Sequence, residues 1–344
     1  MHGWIILDKP HGLGSTQAVS AVKRALRDAG VPKPKVGHGG TLDPLATGVL
    51  PIAVGEATKL AGRMLDSDKI YDFTICFGAQ TDTLDLEGKV IATSDVRPTL
   101  EQLEAILPRF TGAIEQVPPA YSAILIDGQR AYDLARKGEA VEMKTRGVII
   151  HRLALSLPPG GEDSAACSRS GLAELGEGGR ASSPSPTPAR QQAAKPSYPP
   201  PRGGGVEDIT FTAHVSKGTY IRSLARDIAL ALGTVGHVTM LRRIKAGPFT
   251  LETAISLDKL RDAARERAIG ELMLPLTAGL DDIPALPVSP DDALKLRQGK
   301  VLMGTPHTGL MLALEGETPV ALVEAAQGEI RVVRGFNLMS REDD

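Results

Sequence analysis

The chain has 344 residues, 42% of them hydrophobic, with a formal net charge of -2 and a mean hydropathy of -0.06. That length admits one large or two ordinary domains with sizeable cores, and the composition is that of a globular protein rather than a disordered one. No apolar run is long enough to span a bilayer, and two distant cysteines, Cys76 and Cys167, support neither a disulfide framework nor a zinc site.

Trp4–Leu7 reads as a short apolar strand ending in Asp8-Lys9-Pro10. No basic segment precedes it, so a signal peptide is not expected, and a reducing cytoplasm suits the scattered cysteines. Ser15 or Thr16 caps a helix with Ala18, Val19, Val22 and Leu26 on one face, and Gly30 ends it. Val36–Pro51 then reads V-G-H-G-G-T-L-D-P-L-A-T-G-V-L-P. Gly37, Gly39 and Gly40 free the backbone on one side. Pro44 fixes the exit from Asp43 and pushes that residue off helical backbone. A single carboxylate on a rigid loop is a setting for a reactive group. The glycines do not form a phosphate loop, because no Gly-Lys-Ser/Thr follows them.

The string from Gly37 to Leu50 resembles the signature G-H-x-G-T-L-D-P-x-A-x-G-x-L of the TruB family of tRNA pseudouridine synthases. The resemblance implies that Asp43 is catalytic and that His38 contacts RNA beside a flipped nucleotide. Gly39 stands where the family usually has Thr. The opening Asp8 to Gly12 is also similar, with the family's Thr-Ser pair half kept as Gly14-Ser15.

Ala57–Leu65 reads as a short helix, and Lys69–Gly78 as a strand with Tyr71, Phe73, Ile75 and Phe77 on one face. Thr81 to Gly88 holds three carboxylates but lacks calcium-loop spacing, so a hairpin turn is expected there. Thr99 and Gln102 form a capping box for a helix through Leu107. Pro118–Ala123 leads to an Asp127-Gly128 turn and a helix through Lys137 stopped by Gly138. This run also resembles the family, although Leu125 stands where relatives usually have Lys. Between strands near Val148–Leu157 and Asp208–Lys217 lies a tract rich in Pro, Gly and Ser, residues 158–205. It cannot bury enough apolar surface to offset its ordering entropy, so a disordered insertion is expected.

The second strand runs into Ser216–Arg222, where Tyr220 and Arg222, two apart in an extended segment, project from the same side. A helix with Leu224 and Ile228 inward follows, then a strand over Gly236–Arg243. Basic residues cluster at both ends of this chemistry. Residues 1–50 carry six Lys/Arg against three Asp, and His214 to Gly247 six against Asp227 alone. From Pro275 onward the balance reverses to six Lys/Arg against eleven Asp/Glu, in short alternating strands that suggest a small β-barrel. Its position resembles the PUA-type RNA-binding domain of bacterial TruB proteins.

Pseudouridine formation breaks the N1–C1′ bond of uridine, turns the base and rejoins it through C5. It needs no redox change, so no cofactor is expected, and no convergent His/carboxylate set for a metal is visible along the chain. Asp43 would attack C1′ or C6, or act as a base. A carboxylate in an apolar pocket needs a cationic partner to stay ionised, and the G-T-Y-I-R-S motif implies, by resemblance, that Arg222 pairs with Asp43. The resemblance further implies that Tyr71 stacks on the flipped base and that Tyr220 and Leu241 line the pocket. Lys9, Lys217, Arg242 and Arg243 are expected phosphate contacts.

The expected architecture is α+β, a pseudouridine synthase fold with a mixed, largely antiparallel central sheet flanked by helices. Residues 1–274 form the catalytic domain and 275–344 the PUA-type barrel. The expected reaction is uridine to pseudouridine in the TΨC arm of tRNA, by a monomer that binds no membrane. The alternatives are a tRNA-binding protein without catalysis, a nucleoside hydrolase, and a synthase for another structured RNA. Replacing residues 158–205 with a short Gly/Ser bridge should leave turnover and Tm near the parent values; a fall in Tm of more than a few degrees would show that the tract packs on the core.

Overall fold

The computed structural model describes residues 1–126, 128–139, 141–156 and 205–338. The inserted tract from 158 to 204, Cys167 and Asp127 of the expected turn lie outside the described residues.

The chain opens with β1 (Gly3–Lys9), α1 (Ser15–Asp28), β2 (Val36–His38) and β3 (Thr47–Val54). A 3-10 turn over Gly55–Leu60 leads into α2 (Ala61–Asp66) and β4 (Lys69–Phe77). The hairpin of β5 (Ala79–Thr81) and β6 (Val90–Thr93) precedes α3 (Leu100–Ile106) and β7 (Gly112–Gln116). Then come the paired β8 (Leu125–Ile126) and β9 (Gln129–Arg130), α4 (Ala131–Arg136), β10 (Arg146–Leu155) and β11 (Asp208–Val215). Next are α5 (Ile221–Ala231), β12 (Gly236–Ala246), β13 (Phe249–Thr250) and α6 (Leu257–Arg265). The C-terminal elements are β14 (Ala285–Pro287), α7 (Pro290–Arg297), β15 (Leu302–Met303), β16 (Gly309–Glu315), β17 (Thr318–Ala326) and β18 (Glu329–Gly335).

The central sheet runs β1-β3-β12-β4-β11-β10-β7, with β2 added to β3 and β13 to β12. Every pairing in it is antiparallel except the short contact of β3 with β12. The fold is thus α+β with a mixed, largely antiparallel sheet, as expected. Apolar residues run without a break along β1 and β3 because both faces are covered. Ile5, Leu7, Leu50 and Ile52 face α1 and α6, while Trp4, Ile6, Val49 and Ala53 face the opposite core. On β4, Phe73, Ile75 and Phe77 pack against Leu224, Ala225 and Ile228 of α5.

The five C-terminal strands form a second curled sheet, β14-β16-β17-β18-β15, in which β14 runs parallel to β16. It shares a core with the central sheet: Trp4 packs with Leu276, Leu312, Leu322 and Phe336, and its indole Nε1 donates to Leu276 O at 3.2 Å. No helix among the described residues is long and apolar enough to cross a membrane.

Two local expectations are corrected. Neither Ser15 nor Thr16 caps α1: the cap is Gly14, whose N–H donates to Gln17 Oε1 at 2.9 Å. Ser15 is buried instead, with its hydroxyl turned to another loop. Nor do Tyr220 and Arg222 share one extended segment: Tyr220 is extended but Arg222 is helical. Gly218 turns the backbone at φ +77°, Tyr220 becomes the N-cap, and Arg222 lies in the first turn of α5. The apolar spacing of Ile221, Leu224, Ala225 and Ile228 starts the helix there.

Candidate active site

The loop between β2 and β3 carries Asp43, and its shape is set by side chains reaching up from beneath it. The buried Ser15 hydroxyl accepts from Leu42 N at 2.8 Å and donates to Leu42 O at 2.9 Å. Arg243, 1% exposed, donates Nε to Val49 O at 2.7 Å and its two terminal nitrogens to Gly40 O and Thr41 O, each at 3.3 Å. Lys9, fully buried, donates to Leu13 O at 2.6 Å, Pro10 O at 3.1 Å and Pro44 O at 3.2 Å. Burial pushes the Lys9 ammonium down to about 8 against the pull of Asp43. Gly48 is needed where β3 begins: its φ is +100°, and a Cβ would lie 2.2 Å from Arg243 O. At Gly39 a Cβ would come within 2.6 Å of Met64 Cβ, so buried Met64 fills the space a larger residue would require.

Arg222 reaches Asp43 from the first turn of α5. Its guanidinium lies 2.9 Å from Asp43 Oδ2 and 3.2 Å from Asp85 Oδ2, and it donates to Thr83 O at 2.8 Å and Tyr121 O at 3.0 Å. Arg222 is 6% exposed, so one buried cation serves two carboxylates and two carbonyls. Asp85 is itself fixed by Thr83 Oγ1 at 2.6 Å and Glu87 N at 3.0 Å.

Asp43 opens into a cavity of about 290 Å3 lined also by Lys69, Tyr71, Ser122, Tyr220, Arg222 and Leu241. Tyr71 and Leu241 belong to the paired strands β4 and β12. Tyr220 is held at its backbone by Gln116, which accepts from its N–H at 2.8 Å and donates to its carbonyl at 3.1 Å. Burial raises the pKa of the Tyr220 phenol. Lys69 donates to Met64 O and Leu65 O at 2.8 and 2.7 Å, and burial pushes its ammonium down to about 8. The buried Ser122 Oγ, near the Tyr220 side chain, has no hydrogen bond of normal geometry among the described residues.

A second groove of about 540 Å3 meets the first at Asp43 and is lined by His38, Gln17, Glu87, Arg130 and Tyr132. His38 Nδ1 accepts from Gly40 N at 3.4 Å, which leaves Nε2 to carry the proton of the neutral ring. Burial lowers its pKa, with Arg243 adding to the effect.

The structure therefore brings Asp43, Arg222, Tyr71, Tyr220 and Leu241 to one cavity, with His38 on the adjoining groove. It does not fit four residues to the expected phosphate role equally. Lys9 and Arg243 are buried, and the hydrogen bonds they make go to loop carbonyls, three from each. Arg242 forms a two-bond pair with Asp8, at 3.1 and 2.9 Å, and Lys217 pairs with Asp66 at 2.9 Å. Both remain accessible, with 35% of the Arg242 and 62% of the Lys217 side chain exposed. Asp85, Thr83, Lys69 and Ser122 carry no site signal along the chain, and Ser15 reads there as a helix cap. The T-D-T-L-D-L-E-G run does form a hairpin, but alternation alone does not say that its Asp85 side chain turns inward.

The TruB family pseudouridylate synthase N-terminal domain matches residues 24–159, and the tRNA pseudouridylate synthase B C-terminal domain matches residues 222–281. A tRNA pseudouridine synthase B of Novosphingobium aromaticivorans is 57% identical, over 98% of this chain and 97% of its own length. One from Zymomonas mobilis is 53% identical over 98% of this chain and 96% of its own. Among solved structures, an H/ACA RNP bound to a substrate RNA containing 2′-deoxyuridine has a chain that superposes with a TM-score of 0.63 at 21% identity. The match covers 99% of this chain and 86% of that one, and at that identity it speaks for the fold alone.

Arg243→Met tests the role of the buried guanidinium. Losing charge-assisted bonds to three loop carbonyls should lower Tm by roughly 5–10 °C. An unchanged Tm with a reduced salt dependence of RNA binding would instead mark a phosphate contact.

Proposed function

The chain belongs to the TruB family of pseudouridylate synthases, isomerases that convert uridine to pseudouridine, and from that membership we propose that it acts on the TΨC arm of tRNA with Asp43 as its catalytic group. The relatives that carry the name tRNA pseudouridine synthase B, together with the family matches to residues 24–159 and 222–281, support tRNA as the substrate. The observation that carries the catalytic assignment is the Asp43 carboxylate, anchored at 2.9 Å by the buried Arg222 and opening into a cavity.

The target uridine leaves its stack and enters that cavity, where Tyr71 stacks on the base and Leu241 packs against it. Ser122 and the Tyr220 phenol offer polar partners to the uracil as it turns. Asp43, as nucleophile or base, promotes cleavage of N1–C1′. The detached base rotates so that C5 faces C1′, the new C–C bond forms, and the C5 proton passes to solvent while N1 gains one. Arg222 holds Asp43 in place and balances its charge throughout. The accessible Arg242 and Lys217, and His38 on the groove, contact the RNA outside the reacting nucleotide. Residues 1–274 form the catalytic unit and 275–344 an appended RNA-binding unit.

Two substitutions test these roles. Asp43→Asn keeps the loop's size but removes the charge, nucleophilicity and basicity. It should hold tRNA affinity within a few-fold and Tm near the parent, yet release no tritium from tRNA labelled at uridine C5. Retained release would remove Asp43 from the chemistry, and loss of folding would make it a turn residue. Arg222→Lys cannot reach four partners with one ammonium. Turnover should fall far more than tRNA binding; a parallel fall in both, with a smaller salt dependence, would show that Arg222 only holds backbone phosphate.

A further inference from the structure

Away from the cavity, on the polar face of the central sheet, the fold assembles a set of ligand-type side chains that spacing along the chain does not show. His151 lies on β10, His214 on β11, and Asp68 on the connection into β4. His151 Nε2 is 3.1 Å and His214 Nε2 3.5 Å from Asp68 Oδ2, and the three ligand atoms lie within 4.8 Å of one another. A zinc ion with bonds of about 2.0–2.1 Å in tetrahedral geometry separates its ligand atoms by about 3.4 Å, close to the two histidine–aspartate separations, so rotation of the exposed imidazoles completes the set.

The backbone explains why they converge. Ile150 pairs with Val215 and Arg152 with His214, so His151 is the extra residue of a β-bulge. Ile150 and Val215 point into the core, so alternation along β10 puts His151 on the opposite face, beside His214, and the bulge lets Arg152 share that face while Leu153 returns to the core. On the next strand Ile70 pairs with His214, and Asp68, two residues earlier, falls on the same face. The same face carries the hydrogen-bonded pairs Thr212–Asp72 and Thr74–Thr210, so it is a polar surface rather than a core. The Asp68 carbonyl accepts from Gly247 N at 3.0 Å, which fixes the residue from behind. With 35%, 39% and 48% of their side-chain surfaces exposed, His151, His214 and Asp68 leave room for water at the remaining positions of an ion.

We propose that Asp68, His151 and His214 form a binding site for a divalent transition metal of the zinc class. Two imidazoles with one carboxylate suit Zn2+, Co2+ or Fe2+ and disfavour Mg2+ and Ca2+, which take oxygen ligands. The ion takes no part in the isomerisation. It ties the Ser67–Asp68 connection to β10 and β11, and that connection leads directly into Lys69 of the cavity wall. The site is a clamp on the opposite face of the sheet from the cavity, joined to it only through the chain that continues from Asp68 into Lys69.

The full-length protein, stripped with chelator and dialysed, is titrated with Co2+ and followed by its visible absorption, then with Zn2+ as competitor. One equivalent should bind saturably, Zn2+ should displace it, and either ion should raise Tm by mass action. His151→Ala and His214→Ala should each weaken binding by more than the ~10–100-fold that loss of a ligand's outer partner costs, and abolish the Tm rise. Both side chains are exposed enough that Tm without metal should not move, which separates ligand loss from misfolding. Tritium release by the stripped protein should match that of the loaded one. Absence of saturable binding, or undiminished binding by both variants, overturns the site and leaves Asp68 as an acceptor shared by two histidines.

Discussion

A carboxylate can be aimed from a loop only if the loop's own carbonyl oxygens have partners, and here buried cations supply them. A buried carbonyl without a donor costs about 1–3 kcal/mol, and the loop between β2 and β3 turns several inward. Lys9 has three donors and three carbonyls around it, on Pro10, Leu13 and Pro44. Arg243 spreads its planar fork over Gly40, Thr41 and Val49, two stretches of chain that a point-like ammonium would not span. Each cation comes from a strand of the central sheet, so the loop inherits the sheet's rigidity.

The same arrangement sets the field at the cavity. Lys9, Lys69, Arg222 and Arg243 surround two carboxylates, Asp43 and Asp85, and all four cations are nearly removed from solvent. Inside a low-dielectric wall such charges act over longer distances than at a surface. The overall charge of -2 therefore says little about partners, since positive charge is concentrated where a polyanion would enter. The C-terminal sheet, acidic in composition, is joined to the central sheet by an apolar core around Trp4 and by charged contacts beside it: Arg63 pairs with Asp282, Lys59 donates to Gly335 O at 2.8 Å and Asn337 N donates to Glu56 Oε2 at 2.8 Å.

Legibility along the chain followed the range of the interactions. The strands and the capping box at Thr99 depend on neighbours within a few residues and were readable. The motif around Asp43 was readable because its glycines and proline constrain the backbone locally. Lys9 and Arg243 were not, because lysine and arginine are almost always exposed, and only the tertiary fold shows a set of carbonyls waiting above them. Arg222 was placed on a strand because the helix signal of Leu224 and Ile228 hides its first turn. The set at Asp68 is hidden for a different reason: His151 and His214 are joined by strand pairing across the inserted tract, and Asp68 reaches them from the approach to a third strand, β4. β10 and β11 are held by their own ladder, and Ser156 N still donates to Thr210 O at the last described residue. A connection of nearly any length between them changes loop-closure entropy only logarithmically.

The way Arg222 divides itself bears on reactivity. A guanidinium given wholly to one carboxylate engages both of its oxygens, an arrangement that favours holding over reacting. Here one edge of Arg222 meets Asp43 Oδ2 while the other meets Asp85 Oδ2, and Thr83 O and Tyr121 O take further donors. Asp85, 6% exposed and bonded by Thr83 and Glu87, is the partner that immobilises the arginine. Asp43, with 39% of its side-chain surface open to the cavity, is the partner left accessible. The asymmetry assigns the two acids separate duties from one cation: Asp85 orients, and Asp43 keeps a charged oxygen available to whatever enters.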